Sequence, residues 1–170
     1  MFTLILCLTI TIPALNTVLH FEGLNYLSRT HRSPQFSPRS KVLMLMLILP
    51  LFHFAEISVY AVAYYALRDY FHTGTLLGAF ADRFSTYLYF SMETYTSLGF
   101  GDVVPEGITR LLAGVEVLNG ILLIGWSGSY VFVAMQNVWQ QAHNLDLSQA
   151  TLTLVDTPQA AAPVVRVREN

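Results

Sequence analysis

The stretch "SLGFGD", Ser97 to Asp102, carries the chemistry of this chain. A cation leaving water loses hydration on the order of tens of kcal/mol unless oxygens replace the shell. A peptide can supply those oxygens if its successive carbonyls all face one side. That geometry needs left- and right-handed backbone in alternation, and glycine takes the left-handed form without a Cβ penalty. Gly99 and Gly101 stand at every second position, where the alternation needs them. Ser97 adds a hydroxyl at the inner end, and the side chains of Leu98 and Phe100 are expected to turn back against the preceding segment.

The elements around this stretch must hold it in an apolar medium. The chain has 170 residues, 54% hydrophobic and 12% charged. A soluble domain carries about 25% charged residues, so a membrane protein is the first reading. The net charge of -2 argues against nucleic acid as a partner. Cys7, in an apolar run, has no second cysteine to pair with and reads as a small buried side chain. Three stretches reach the roughly 20 apolar residues that a bilayer crossing needs. They begin at Phe2, Val42 and Leu111 and end near Leu19, Leu67 and Met135. The first could instead be a cleaved signal peptide, but no Lys or Arg precedes Arg29 and no small-x-small site is evident. Arg29, Arg32, Arg39 and Lys41 crowd the following loop, which places that loop in the cytoplasm, the N-terminus outside and the C-terminus inside. Between the second and third spans, Arg83 to Tyr95 reads as a helix of about three turns with Asp82 as N-cap. Its flanks lie on one side of the membrane, so it is re-entrant, and it aims its partly negative C-terminal end at the membrane centre.

With those elements in place, "TSLGFGD" resembles the potassium-channel signature T-x-V-G-Y-G-D, the filter loop of the two-helix pore module. The likeness extends over "SMETYTSLGFGDVVP" and "TRLLAGVEVLNG", which are similar to the pore helix, filter and inner helix of the simple bacterial potassium channels. It implies an all-α membrane protein and a homotetramer of identical subunits around a central axis. It implies potassium ions held by the carbonyls of Ser97, Leu98, Gly99, Phe100 and Gly101, together with the Ser97 hydroxyl, and no organic cofactor. The expected organisation is an N-terminal transmembrane helix at 1–20, a basic cytoplasmic loop at 21–41 and a pore domain at 42–138. That domain comprises an outer helix 42–67, a pore helix 83–96, the filter 97–101 and an inner helix 110–138. A mostly disordered cytoplasmic tail at 139–170 completes it. The chain departs from the signature at Ser97, Leu98 and Phe100. Phe100 lacks a phenol that can tie the filter to the pore helix, and Ser97 lacks a stiffening methyl.

The same likeness places Glu93 and Asp102 behind the filter, with Thr96 beside them as support. Two close carboxylates cannot both ionise cheaply, so the pair is expected to share a proton and brace the filter. The other reading has Asp102 facing water and Glu93 paired elsewhere. Gly120 aligns with a hinge glycine of the inner helix; Gly125 and Gly128 are rival hinges, and all three suit close helix packing. Ile121, Ile124, Gly128, Ser129, Phe132 and Gln136 are expected to face the cavity, with Phe132 as a hydrophobic constriction. Glu116 and Asn119 lie on the third span; for Glu116 a structural hydrogen-bonding role is preferred over ion attraction. His53 and Glu56 share a helix face, a spacing that suits a metal but supplies two ligands only; an interhelical hydrogen bond is preferred. Tyr87, Tyr89 and Phe90 read either as an aromatic cuff for the filter or as ordinary helix packing. Pro50 is expected to kink the second span. No catalytic, nucleotide or complete metal motif is present, and no arginine ladder marks a voltage sensor. The function expected is passive potassium conduction; a nonselective cation pore and a non-conducting membrane scaffold are the alternatives.

Overall fold

The computed structural model describes residues 2–31, 37–73, 75–78 and 83–156. Helix α1 is Phe2–His31 and helix α2 is Pro38–Asp69. Strand β1 is Leu76–Gly78, helix α3 Phe84–Tyr95, strand β2 Val103–Pro105, and helix α4 Thr109–Asp156. The described residues up to Phe132 form one compact unit and those from Val133 to Asp156 a second.

Helix α2 starts where Ser37, in extended backbone, accepts a hydrogen bond from the Ser40 amide at 3.2 Å, with Pro38 in the first turn. Its buried residues, Leu45, Leu49, Glu56, Tyr60, Tyr64 and Leu67 among them, recur at three- and four-residue spacing. One stripe of the helix therefore meets the rest of the chain, and Pro50 lies inside a helix that continues through it. In α1, Pro13 is likewise interior. The hydroxyls of Thr9, Thr11 and Thr17 fold back onto the carbonyls of Leu6, Cys7 and Pro13, which satisfies polar side chains where no water reaches them. Cys7 is exposed rather than buried, on the outer face of α1.

Among the described residues, three helices are long and apolar enough to cross a bilayer. No more than 28% of any of their most apolar windows is buried within the chain. The uncovered remainder needs lipid or further protein against it. The core joins Ile5 and Ile12 of α1, Tyr60, Ala61 and Tyr64 of α2, Tyr87, Phe90 and Tyr95 of α3, and Leu112 and Ala113 of α4.

Two helices run further than the sequence suggests. Helix α1 continues to His31, so much of the expected 21–41 loop is helical, because no proline intervenes before Pro34 and Leu24 and Leu27 are buried. Helix α4 continues to Asp156, so the first half of the expected disordered tail is helical. Its Gln, Ala and Leu residues favour helix, and no glycine or proline follows Gly128 until Pro158. At the start of α3, Arg83 is the N-cap, without a side-chain bond to the helix; the expected cap, Asp82, lies outside the described residues. The short strands were not anticipated. They pair antiparallel, Leu76 opposite Pro105 and Gly78 opposite Val103.

Among the described glycines, Gly120 stands closest against another segment. A Cβ there would stand 2.1 Å from the Tyr95 carbonyl oxygen, which is backbone and cannot step aside. Gly120→Ala is therefore expected to destabilise the chain by about 1–3 kcal/mol or to prevent assembly. Gly114→Ala, where a Cβ meets nothing within 4 Å, serves as the control. Melting in detergent, followed by size-exclusion recovery, compares the two; equal melting temperatures would refute the contact.

Candidate ion-coordinating site at the end of the re-entrant helix

The site begins at the last turn of α3. The Leu98 amide donates to the Glu93 carbonyl at 2.8 Å, and the Ser97 amide to the Thr94 carbonyl at 2.9 Å. These are the two bonds of a Schellman helix end, with Ser97 in the left-handed position that usually holds glycine. Ser97 has φ 57, Gly99 φ 53 and Gly101 φ 80, while Leu98 and Phe100 between them stay at negative φ. The backbone thus alternates in hand across the whole stretch, as the glycine spacing requires.

Glu93 takes up the donors that this path leaves over. Its carbonyl also accepts from the Gly99 amide at 3.2 Å, and its carboxylate accepts from the Phe100 amide at 3.1 Å. Among the described residues, no hydrogen bond ends on a carbonyl of residues 97–101. The amides turn back to the helix and the carbonyl oxygens are left open. The Thr96 hydroxyl bonds back to the Met92 carbonyl at 2.7 Å and so closes the helix end.

Asp102 is held separately. Its carboxylate accepts from the Tyr89 hydroxyl at 3.1 Å and from the Val103 amide at 3.1 Å. Each of the two carboxylates thus has its own donors, the Phe100 amide for Glu93 and the Tyr89 hydroxyl and Val103 amide for Asp102. Burial pushes the Glu93 carboxyl above the ordinary carboxylate range; the Phe100 amide opposes that rise and the charge of Asp102 adds to it. The Tyr89 ring stacks on Phe100, with centroids 6.5 Å apart and planes 6° from parallel. Tyr89 thereby supplies the phenol that Phe100 lacks. The signal was in the spacing: Tyr89 and Glu93 stand four apart, on one face of α3. Leu98 and Phe100 do turn toward α3, where they line a hollow with Tyr89, Met92, Glu93 and Thr96. Both remain more than half exposed within one chain, at 58% and 65%. Tyr87 and Phe90 face α2, edge-on to Tyr65 and Tyr64.

On α4, Ile121, Ile124, Gly128, Ser129, Phe132 and Gln136 are all exposed. Leu112, Glu116, Asn119, Leu123 and Ser127 form the opposite, buried stripe. Glu116 accepts from the hydroxyls of Ser91 on α3 at 2.5 Å and Tyr64 on α2 at 2.7 Å. Asn119 accepts from Tyr60 at 3.1 Å and donates to Thr17 of α1 at 3.3 Å.

A second polar cluster was only half visible in the sequence. His53 and Glu56 are joined by His20 of α1, whose Nδ1 lies 2.8 Å from Glu56 Oε1. Tyr95 of α3 donates to Glu56 Oε2 at 2.5 Å, and Ser127 of α4 lies 3.0 Å from His53 Nε2 and 3.1 Å from His20 Nε2. His20 could have been noticed as an ionisable residue next to an apolar run, had the first span not been ended at Leu19.

A left-handed serine costs about 1–2 kcal/mol relative to glycine, and a branched Cβ costs more. Ser97→Gly is expected to raise the melting temperature and Ser97→Val to lower it; the reverse order would exclude this helix end. Neither a curated protein nor a solved structure matches the chain. The family model for ion channels matches residues 52–137, which takes in α3, the alternating stretch and the glycine-bearing part of α4. With three apolar helices, a re-entrant helix between two of them and that match over half its length, the chain belongs to the two-transmembrane ion channel family.

Proposed function

We propose that this multi-pass membrane protein is a potassium-selective channel that conducts passively through the carbonyls of Ser97, Leu98, Gly99, Phe100 and Gly101. The observation that carries this reading is the alternation of hand at Ser97, Gly99 and Gly101, with every amide from Leu98 to Phe100 bonded back to Glu93. A dehydrated cation needs oxygens on several sides, and one strand offers them on one side only. A homotetramer supplies the rest. The exposure of Leu98 and Phe100 in a single chain, together with the uncovered apolar face of α4, supports such an assembly. On this reading Gly120, Gly128, Ile124 and Phe132 belong to the gating and cavity-lining face of the inner helix, and Glu93, Thr96 and Asp102 support the filter. Arg29 at the end of the first span and Arg39 and Lys41 at the start of the second favour a cytoplasmic position for their connection in a plasma or inner membrane, with the N-terminus outside.

Reconstitution in planar bilayers, with potassium on one side and sodium on the other, tests the selectivity. The current should reverse far from zero, with the sodium side positive, where the voltage opposes the flow of potassium. Reversal at zero would identify a nonselective cation pore, and absence of current with a folded tetramer would identify a scaffold.

The Glu93 carboxyl yields a pH prediction with a definite sign. Because it sits above the ordinary range, the folded chain holds its proton more tightly than the unfolded one. The stabilisation is complete below the ordinary value of about 4.3 and is lost as pH rises through the raised one. Acidification removes the charge from the acceptor of the Phe100 amide, so current should decay faster at low pH. Glu93→Gln, neutral at all pH values, should flatten that dependence. An unchanged pH response in the variant would remove Glu93 from the account.

A further inference from the structure

We propose that His20, His53 and Glu56 form a binding site for a zinc-class divalent cation, set between α1 and α2 and backed by α3 and α4. One nitrogen or oxygen from each residue lies within 4.8 Å of the others. Two imidazoles, a carboxylate and a water make a ligand set that zinc commonly takes. Bonds of about 2.0–2.1 Å require ligand atoms about 3.4 Å apart, so binding asks for a shift of about 1 Å in one ring. His53, at 16% side-chain exposure, has room to make it and offers the ion a way in.

The surrounding hydrogen bonds can accommodate the ion. His20 Nδ1 faces Glu56 Oε1 at 2.8 Å and His53 Nδ1 faces Glu56 Oε2 at 3.2 Å. The other ring nitrogens, both Nε2, face one hydroxyl, that of Ser127, at 3.1 and 3.0 Å. The Tyr95 hydroxyl also stands 3.0 Å from His53 Nδ1. Without an ion, His20 meets the carboxylate with its proton on Nδ1 and takes the Ser127 proton on Nε2, while His53 can turn Nδ1 to the tyrosine hydroxyl and give an Nε2 proton to Ser127. A cation on the two Nδ1 atoms replaces this with one symmetric arrangement, in which each ring carries its proton on Nε2 and the two lone pairs of Ser127 accept both. Outer groups of this kind, which fix the tautomer of a ligating histidine, are the ordinary companions of a metal. Glu56 is supported in the same manner: Tyr95 donates to its Oε2 at 2.5 Å, which leaves Oε1 for the ion. Asn16, one turn before His20, donates to the Glu56 backbone carbonyl at 3.2 Å and fixes α1 in register. Binding does not depend on the channel reading, since it asks only that these helices pack as they do.

The test uses the full chain purified in detergent, stripped with a chelator and titrated at neutral pH with zinc by calorimetry and with cobalt by visible absorption. The expected result is one ion per chain, the intense visible bands of low-coordinate cobalt and a higher melting temperature with zinc. His20→Ala and His53→Ala should each abolish the bands. Ser127→Ala, which touches only the outer nitrogens, should keep them while weakening affinity about 10- to 100-fold. Wild-type protein that retains no ion and gives no cobalt bands would overturn the proposal, whatever the variants do. So would bands that persist in His20→Ala or His53→Ala, which would put the ion elsewhere. Stabilisation by acid alone, with no ion retained, would make a second proton the occupant and would equally end it.

Discussion

A strand that offers its carbonyl oxygens to an ion must first dispose of its amides. In an apolar medium an unmet backbone donor costs as much as a lost hydrogen bond or more, so the amides cannot simply be abandoned. Here one residue meets three of them. Glu93 takes the Leu98 and Gly99 amides on its carbonyl and the Phe100 amide on its carboxylate. This sets the rest of the arrangement. The helix that carries Glu93 must end immediately before the stretch, the chain must reverse hand at Ser97 to reach back, and glycines must follow at alternate positions. The outer end is held by Tyr89 on Asp102 and by the β1–β2 pairing just beyond it. The stretch is anchored at both ends and open along one side.

Helix α1 is joined to α2 and α4 by polar contacts as well as by packing. Asn16, Thr17 and His20 fall on one face and reach the Glu56 carbonyl, Asn119, and the Glu56 and Ser127 side chains in turn. Measured hydrogen bonds between membrane helices contribute about 0.6 kcal/mol each, so these contacts do little for bulk stability. Their effect is on register. A rotation of α1 by one residue would leave Asn16 and His20 facing lipid, where polar groups are far more costly than a lost packing contact. Helix α1 thus packs on α2 with a defined face, while α3 packs on α2 as well.

Much of this was legible in the residues, for reasons that can be separated. The three spans follow from apolar length, and the re-entrant helix from the need to return to one side. The alternation follows from glycine spacing, a local property that needs no knowledge of partners. The misread parts depend on partners or on missing breakers. Helix α4 outruns its apolar segment because nothing between Gly128 and Pro158 stops a helix, and hydropathy alone cannot see that. Helix α1 outruns its segment because Leu24 and Leu27 find buried places. Ending it early hid His20, and with His20 went the third member of the His53–Glu56 cluster. Glu93 and Asp102 could be singled out as acids flanking the stretch from the sequence alone. Their partners, the Phe100 amide and the Tyr89 hydroxyl, depend on the turn at Ser97, which the motif does not spell out.

Tyr95 is where these threads meet. Its carbonyl presses on Gly120 of α4, its hydroxyl donates to Glu56 of α2, and the left-handed turn at Ser97 follows two residues later. The contact at Gly120 is too close to yield by side-chain rotation, because both surfaces are backbone. A bend of α4 at that point therefore has to move the last turn of α3 or part from it. A bend at Gly125 or Gly128, where an added Cβ meets nothing within 4 Å, leaves Tyr95 untouched. The choice among these three glycines is thus more than a question of where a helix is flexible. It decides whether movement of the inner helix is mechanically linked to the carbonyl-lined stretch or independent of it. The packing favours linkage at Gly120 and independence below it.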